Sequence, residues 1–98
     1  MLNLTSENFD DELAKGKTVV DFWATWCGYC KIIEPLLEEL EEKCENGTRI
    51  AKVNFDEERA IADRFGITML PTLLVFENGV EIDRKEGSQP MEVLESMI

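Results

Sequence analysis

The sequence predicts an α/β fold, a central mixed β-sheet with helices on both faces, and three observations carry that expectation. Runs such as Thr18–Ala24 and Thr48–Phe55 are apolar and β-branched at successive positions, as strands buried on both faces are. They alternate with segments of helical period, which suits parallel strands joined by crossovers. Near the end, Asn78-Gly79 separates two strand-like runs and marks a tight hairpin, which adds the last strand antiparallel.

The elements follow in order. A short apolar opening at Leu2 to Leu4 precedes TSENFDDELAKGK, which starts with hydroxyl and acidic residues and ends in Lys15-Gly16-Lys17, as a first helix does. TVVDFWA is a buried strand with one discordant residue, Asp21. From Cys27 onward, Ile33, Leu37, Leu40 and Cys44 recur at helical spacing while Glu34, Glu38, Glu41, Glu42 and Glu45 lie largely elsewhere, an amphipathic helix that Asn46-Gly47 ends. TRIAKVNF is the next buried strand, and DEERAIADRFG a short helix closed by Gly66. ITML leads through Pro71 into the strand TLLVF, and VEIDRKE alternates as an edge strand after the hairpin. SQPMEVLESMI forms the final helix, so the order is β-α-β-α-β-α-β-β-α.

No linker, repeat or low-complexity tract divides the 98 residues, so residues 1–98 are expected to form one domain. The chain is 44% hydrophobic, yet no run approaches the roughly eighteen apolar residues of a membrane span, and no membrane is expected as a partner. Its formal net charge of −11 repels phosphate backbones and anionic lipid, which excludes nucleic acid and reads as a solvated surface. The start lacks a basic region followed by an apolar one, so the expected address is cytoplasmic. Three cysteines are too few for a disulfide scaffold, and their odd count in a reducing compartment points to chemistry. A tetrahedral zinc site needs four Cys or His ligands; the chain has no histidine and no second C-x-x-C, so no metal or bound cofactor is expected.

The chemistry centres on WATWCGYCK, residues 23 to 31. Together with VVDF before it, Pro35 eight residues after Cys27, AKVNFDEE, LPTLLVFENG and Gly87, this stretch resembles the thioredoxin family over nearly the whole chain. The resemblance implies the thioredoxin fold, a monomer, and a dithiol that reduces disulfide-containing protein substrates and is itself restored by a thioredoxin reductase. Four departures stand out: Gly28-Tyr29 where Gly-Pro is usual, Met69 in place of a small residue, Glu86 in place of an apolar one, and a short last helix.

Each site residue also has a physical rationale. Cys27 sits where the long helix begins, so unsatisfied N–H groups and the positive end of the dipole favour its thiolate as the nucleophile. Cys30, one turn in and deeper, resolves the mixed disulfide. Were Cys27 the N-cap, the N–H groups of Tyr29 and Cys30 would both donate to its sulfur; a proline at position 29 would remove one of them, which predicts a milder reductant than a Gly-Pro protein. Cys44 continues the apolar stripe and reads as core. A carboxylate inside a two-faced strand must be paired, hydrated or protonated, and the resemblance places Asp21 beneath the cysteines, ready to take the Cys30 proton, with Lys52 nearby as either its partner or a snorkelling surface lysine. The substrate surface comprises Trp26, Gly28, Tyr29, Leu70, Pro71, Glu86 and Gly87; there the resemblance implies a cis bond at Pro71 that turns the Leu70 backbone toward the dithiol for a substrate strand to pair with. Trp23 reads as a core aromatic.

Three other functions compete. A glutaredoxin-like enzyme tolerates Tyr between the cysteines, but no basic glutathione site or Gly-Gly pair follows the proline strand. A disulfide oxidase or isomerase fits the Gly-Tyr pair but not the absence of an export signal. A non-catalytic binding module of this fold has no need of both cysteines.

Overall fold

A computed structural model describes residues 1–98, and its element order matches the expected one. β2 (Lys17–Trp23) forms the middle of a five-stranded sheet, and Thr18–Phe22 are buried at every position, as a strand covered on both faces requires. β3 (Arg49–Asn54) lies parallel to it, and β1 (Leu2–Asn3) lies parallel to β3 at one edge. On the other side of β2 come β4 (Thr72–Glu77) and β5 (Val80–Glu86), giving the order β1-β3-β2-β4-β5. Asn78 and Gly79 both take positive φ, 51° and 85°, as the two-residue hairpin requires.

The change of strand direction falls at β4, one strand earlier than the hairpin alone places it: β4 runs antiparallel to β2 as well as to β5. α3 (Arg59–Arg64) lies within a connection that returns to the end of the sheet it left. The connection leaves β3 at Asn54, beside Trp23, and enters β4 at Thr72, beside Phe22, at the same end of the sheet. That end gathers the candidate site residues.

The period of two along the strands sorts the core into two layers. Val20, Phe22, Ala51, Val53, Leu74 and Phe76 meet α1 (Phe9–Leu13) and α3, where Phe9, Phe65 and Phe76 form a cluster of rings with centroids 5.2 to 5.8 Å apart. Val19, Ile50, Leu73 and Val75 meet α2 (Gly28–Lys43) and α4 (Met91–Glu95) on the opposite face. Helices thus cover both faces, as expected. Asp21 and Lys52, at the odd and even positions that continue Val19 and Ile50, belong to the α2 face.

All four helices are shorter than their sequence patterns suggest, α3 covering only Arg59–Arg64 of DEERAIADRFG. In α1 the Asn8 side chain turns back to accept from the Thr5 N–H at 2.7 Å, so Thr5–Asn8 closes a turn of its own before the helix. α4 starts only after Pro90. α2 stops at Lys43 because Cys44 is extended, and Asn46 and Gly47, both at positive φ, build the turn into β3, closed by Thr48 N–H donating to Glu45 at 3.1 Å.

Candidate active site

β2 ends at Trp23, and the short link Ala24–Trp26 delivers the chain to Cys27, the N-cap of α2. Cys27 has the extended backbone of a cap, and its N–H donates to the Ala24 carbonyl at 3.2 Å. Cys27 and Cys30 are joined as a disulfide, with Cα atoms 5.3 Å apart. The Cys27 sulfur accepts the N–H of Cys30 at 3.2 Å. Tyr29 does not donate to it, so the expected second hydrogen bond is absent: the cap engages only the N–H three residues on, as N-caps commonly do. The contrast drawn between Tyr and Pro at position 29 on that basis is corrected, because a proline there would remove no bond to the sulfur.

The two cysteines differ less in burial than expected, at 6% and 4% exposed. They differ in what surrounds them. Cys27 is the cap itself, whereas Cys30 lies inside the first turn and lines a cavity of about 210 Å³ that it shares with Asp21, Trp23, Thr25, Glu34 and Lys52. Ala24, Cys27 and Cys30 form a small apolar cluster, with Trp23 and Leu70 packed against it.

Asp21 is fully buried, and its Oδ1 has no hydrogen-bond partner. Burial pushes its carboxyl up to about 7; the Lys52 ammonium pulls it down and the Glu34 carboxylate pushes it further up. The parallel register sets Asp21 beside Lys52, but Lys52 is not its ion-pair partner. The Lys52 ammonium instead donates to Glu34 Oε1 at 2.6 Å and lies 4.3 Å from the centre of the Trp23 ring. A flexible lysine stem lets the charge seek the half-exposed carboxylate over a buried carboxyl that holds its proton until near neutral pH. The sequence pattern assigns Glu34 only to the polar face of the helix. Its position four residues after Cys30, on the same side of the helix, was the signal.

The rim is apolar and open. Trp26 and Tyr29 are 65% and 66% exposed, and Ile32 and Met69 are exposed beside them in sequence or across the site. The Trp26 indole N–H donates to Asp56 Oδ2 at 2.7 Å, which fixes the ring; neither Asp56 nor Ile32 was singled out from sequence. Trp23 is half-buried under Lys52 and so is less than a plain core residue. The Leu70-Pro71 bond is cis, and Pro71 is buried. Neither the N–H nor the C=O of Leu70 joins a backbone hydrogen bond. Gly87, at φ +84°, donates its N–H to the Pro71 carbonyl at 2.7 Å, and Glu86 lies exposed opposite Thr72. Gly28 is exposed, and an added Cβ would meet nothing within 4 Å. Cys44 stands apart at the far end of α2, half-buried against the second core layer, its thiol pushed up by burial and by the Glu41 carboxylate.

Comparison with known proteins agrees with this geometry. The thioredoxin family model matches residues 1–98. A thioredoxin of Staphylococcus saprophyticus is 43% identical over 98 residues, covering 100% of this chain and 94% of the relative. Thioredoxins of Staphylococcus haemolyticus and Bacillus subtilis are 41% and 36% identical over the same 100% and 94%. No helix is long and apolar enough to cross a membrane.

Proposed function

Because this chain belongs to the thioredoxin family and is a thiol–disulfide oxidoreductase that reduces protein disulfides through its Cys27/Cys30 pair, we propose how its residues divide that work. The observation that carries the proposal is the placement of the pair: one sulfur at the N-cap of α2, the other facing the cavity that holds Asp21.

In the reduced protein Cys27 is the nucleophile. Its thiolate, favoured by the helix N-terminus and by the Cys30 N–H, attacks a substrate disulfide; one substrate sulfur leaves as a thiolate and a Cys27 mixed disulfide forms. Cys30 then gives its proton to the Asp21 carboxylate and its sulfur attacks Cys27, which forms the Cys27–Cys30 bond and releases the second substrate thiol. With its titration near 7, Asp21 is poised to accept a proton at neutral pH. Lys52 acts through charge on Asp21 and through its hold on Glu34.

Substrate lies across Trp26, Gly28, Tyr29, Pro71 and Gly87, with its extended backbone paired to the free N–H and C=O of Leu70. Glu86 at the margin favours basic or neutral segments. The chain works as one domain, 1–98, in the cytoplasm, where a thioredoxin reductase returns two electrons to the disulfide. The test is single-turnover reduction of insulin by a Cys30→Ser variant: a trapped mixed disulfide supports this division of labour, and normal turnover refutes it.

A further inference from the structure

Glu34 is the one acidic side chain of α2 that lines the Asp21 cavity, and the groups facing that cavity leave little choice of partners. β3 contributes Lys52; α2 contributes Cys30, Lys31 and Glu34; β2 contributes Asp21 and the neutral Trp23, and the link to α2 the neutral Ala24 and Thr25. The β4 neighbour of Asp21 in register, Leu73, carries no charge. Two contacts fix the Lys52 ammonium: the Glu34 carboxylate at 2.6 Å and the Trp23 ring at 4.3 Å. The cost of that arrangement falls on Asp21, whose Oδ1 is buried with no partner.

From this geometry we propose that Glu34 is a positioning residue for the reaction: by pairing with Lys52 it keeps Asp21 without a direct counter-ion and so governs when the buried carboxyl carries its proton. Glu34 acts in two ways with one sign. Its own negative charge disfavours a second carboxylate nearby, and its grip on Lys52 withholds the cation that would favour one. Removing the charge of Glu34 while keeping its shape reverses both effects: Lys52 is free to turn to Asp21, and the carboxylate is stabilised. The consequence for exchange rests on the reading of Asp21 as acceptor of the Cys30 proton. A weaker base that is ionised at lower pH shifts the pH range in which resolution of the mixed disulfide is fast.

The experiment is a carbon-13 titration of the Asp21 side-chain carboxyl in the oxidised full chain, for the native protein and for Glu34→Gln, Glu34→Asp and Lys52→Met. The native midpoint is expected near 7. Glu34→Gln should lower it by about one pH unit, Glu34→Asp should restore it, and Lys52→Met should raise it. A midpoint that stays put or rises in Glu34→Gln overturns the inference, and the same spectra report whether each variant is folded. A parallel measurement follows the rate at which Cys30 resolves a preformed Cys27 mixed disulfide across pH. If the carboxyl midpoint falls in Glu34→Gln and the rate profile moves with it, both the inference and the role of Asp21 stand. If the midpoint falls and the profile does not move, Glu34 still governs Asp21, and Asp21 is not the proton acceptor.

Discussion

The two ends of α2 carry the three cysteines of this chain in opposite chemical settings. At the start, Cys27 caps the helix, its sulfur receives a backbone N–H, and the partial positive charge of the helix N-terminus favours a thiolate. At the finish, Cys44 is the C-cap: burial against the second core layer and the nearby Glu41 carboxylate favour the neutral thiol, and the helix end there is partially negative. The side chains are identical, and all three lie along one helix. What separates a redox pair from a packing residue is position along the dipole and the identity of the buried neighbours.

That contrast can be broken or sharpened by substitution. The largest effect expected is at the N-terminal end: Cys27→Ser should lower insulin reduction by about a thousandfold or more, while Cys44→Ser keeps near-native turnover. Asp21→Asn comes next and acts on stability. The Asp21 carboxyl has an ordinary value of 3.8 and is raised to about 7 in the fold. Below 3.8 both states are protonated and the group contributes no pH dependence; between 3.8 and about 7 the unfolded chain ionises while the folded one keeps its proton, so stability falls as pH rises. With each tenfold change in proton affinity worth about 1.4 kcal/mol, the loss by pH 8 is at most about 4 kcal/mol. Urea unfolding of the oxidised protein should therefore show Asp21→Asn more stable than native at pH 8 and nearly equal at pH 4, with slower exchange at neutral pH. An equal gain at both pH values would mean that the carboxyl is not ionising in place.

Smaller effects follow. In the reduced protein at pH 7, iodoacetamide should label Cys27 about a hundredfold faster than Cys44, read by peptide mass spectrometry. Cys44→Ser should change unfolding free energy by no more than about 1 kcal/mol, since the residue is only half-buried. The smallest change concerns Glu86: Glu86→Val should slow reaction with a basic disulfide peptide about two- to threefold at low ionic strength and leave an acidic one unchanged or faster. Matching rates for the two peptides with native protein would remove Glu86 from recognition.

Much of this arrangement was legible in the residues because it breaks local rules. Asp21 interrupts an apolar strand, two cysteines begin an amphipathic helix, and Asn78-Gly79 admits few conformations other than a hairpin. What could not be read depends on how elements dock. The Lys52 ion pair with Glu34 follows from where α2 lies across β3, which no spacing within either element encodes. The same holds for Asp56 under Trp26, thirty residues away in sequence. The reversal at β4 depends on the end of the sheet to which the β3–β4 connection returns, which no local pattern encodes. The ends of α1 and α4 lie inside their sequence patterns because helical composition extends past the point where a side chain or a proline stops the helix.

The most direct test of the contrast between the two helix ends is to trap the mixed disulfide. A Cys30→Ser protein, reacted with a disulfide-bonded substrate and digested under non-reducing conditions, leaves two thiols in competition, Cys27 and Cys44. The substrate should be found on Cys27, with Cys44 recovered as the free thiol. Substrate attached mainly to Cys44, or divided evenly between the two, would contradict the assignment of the reactive sulfur to the N-terminus of α2.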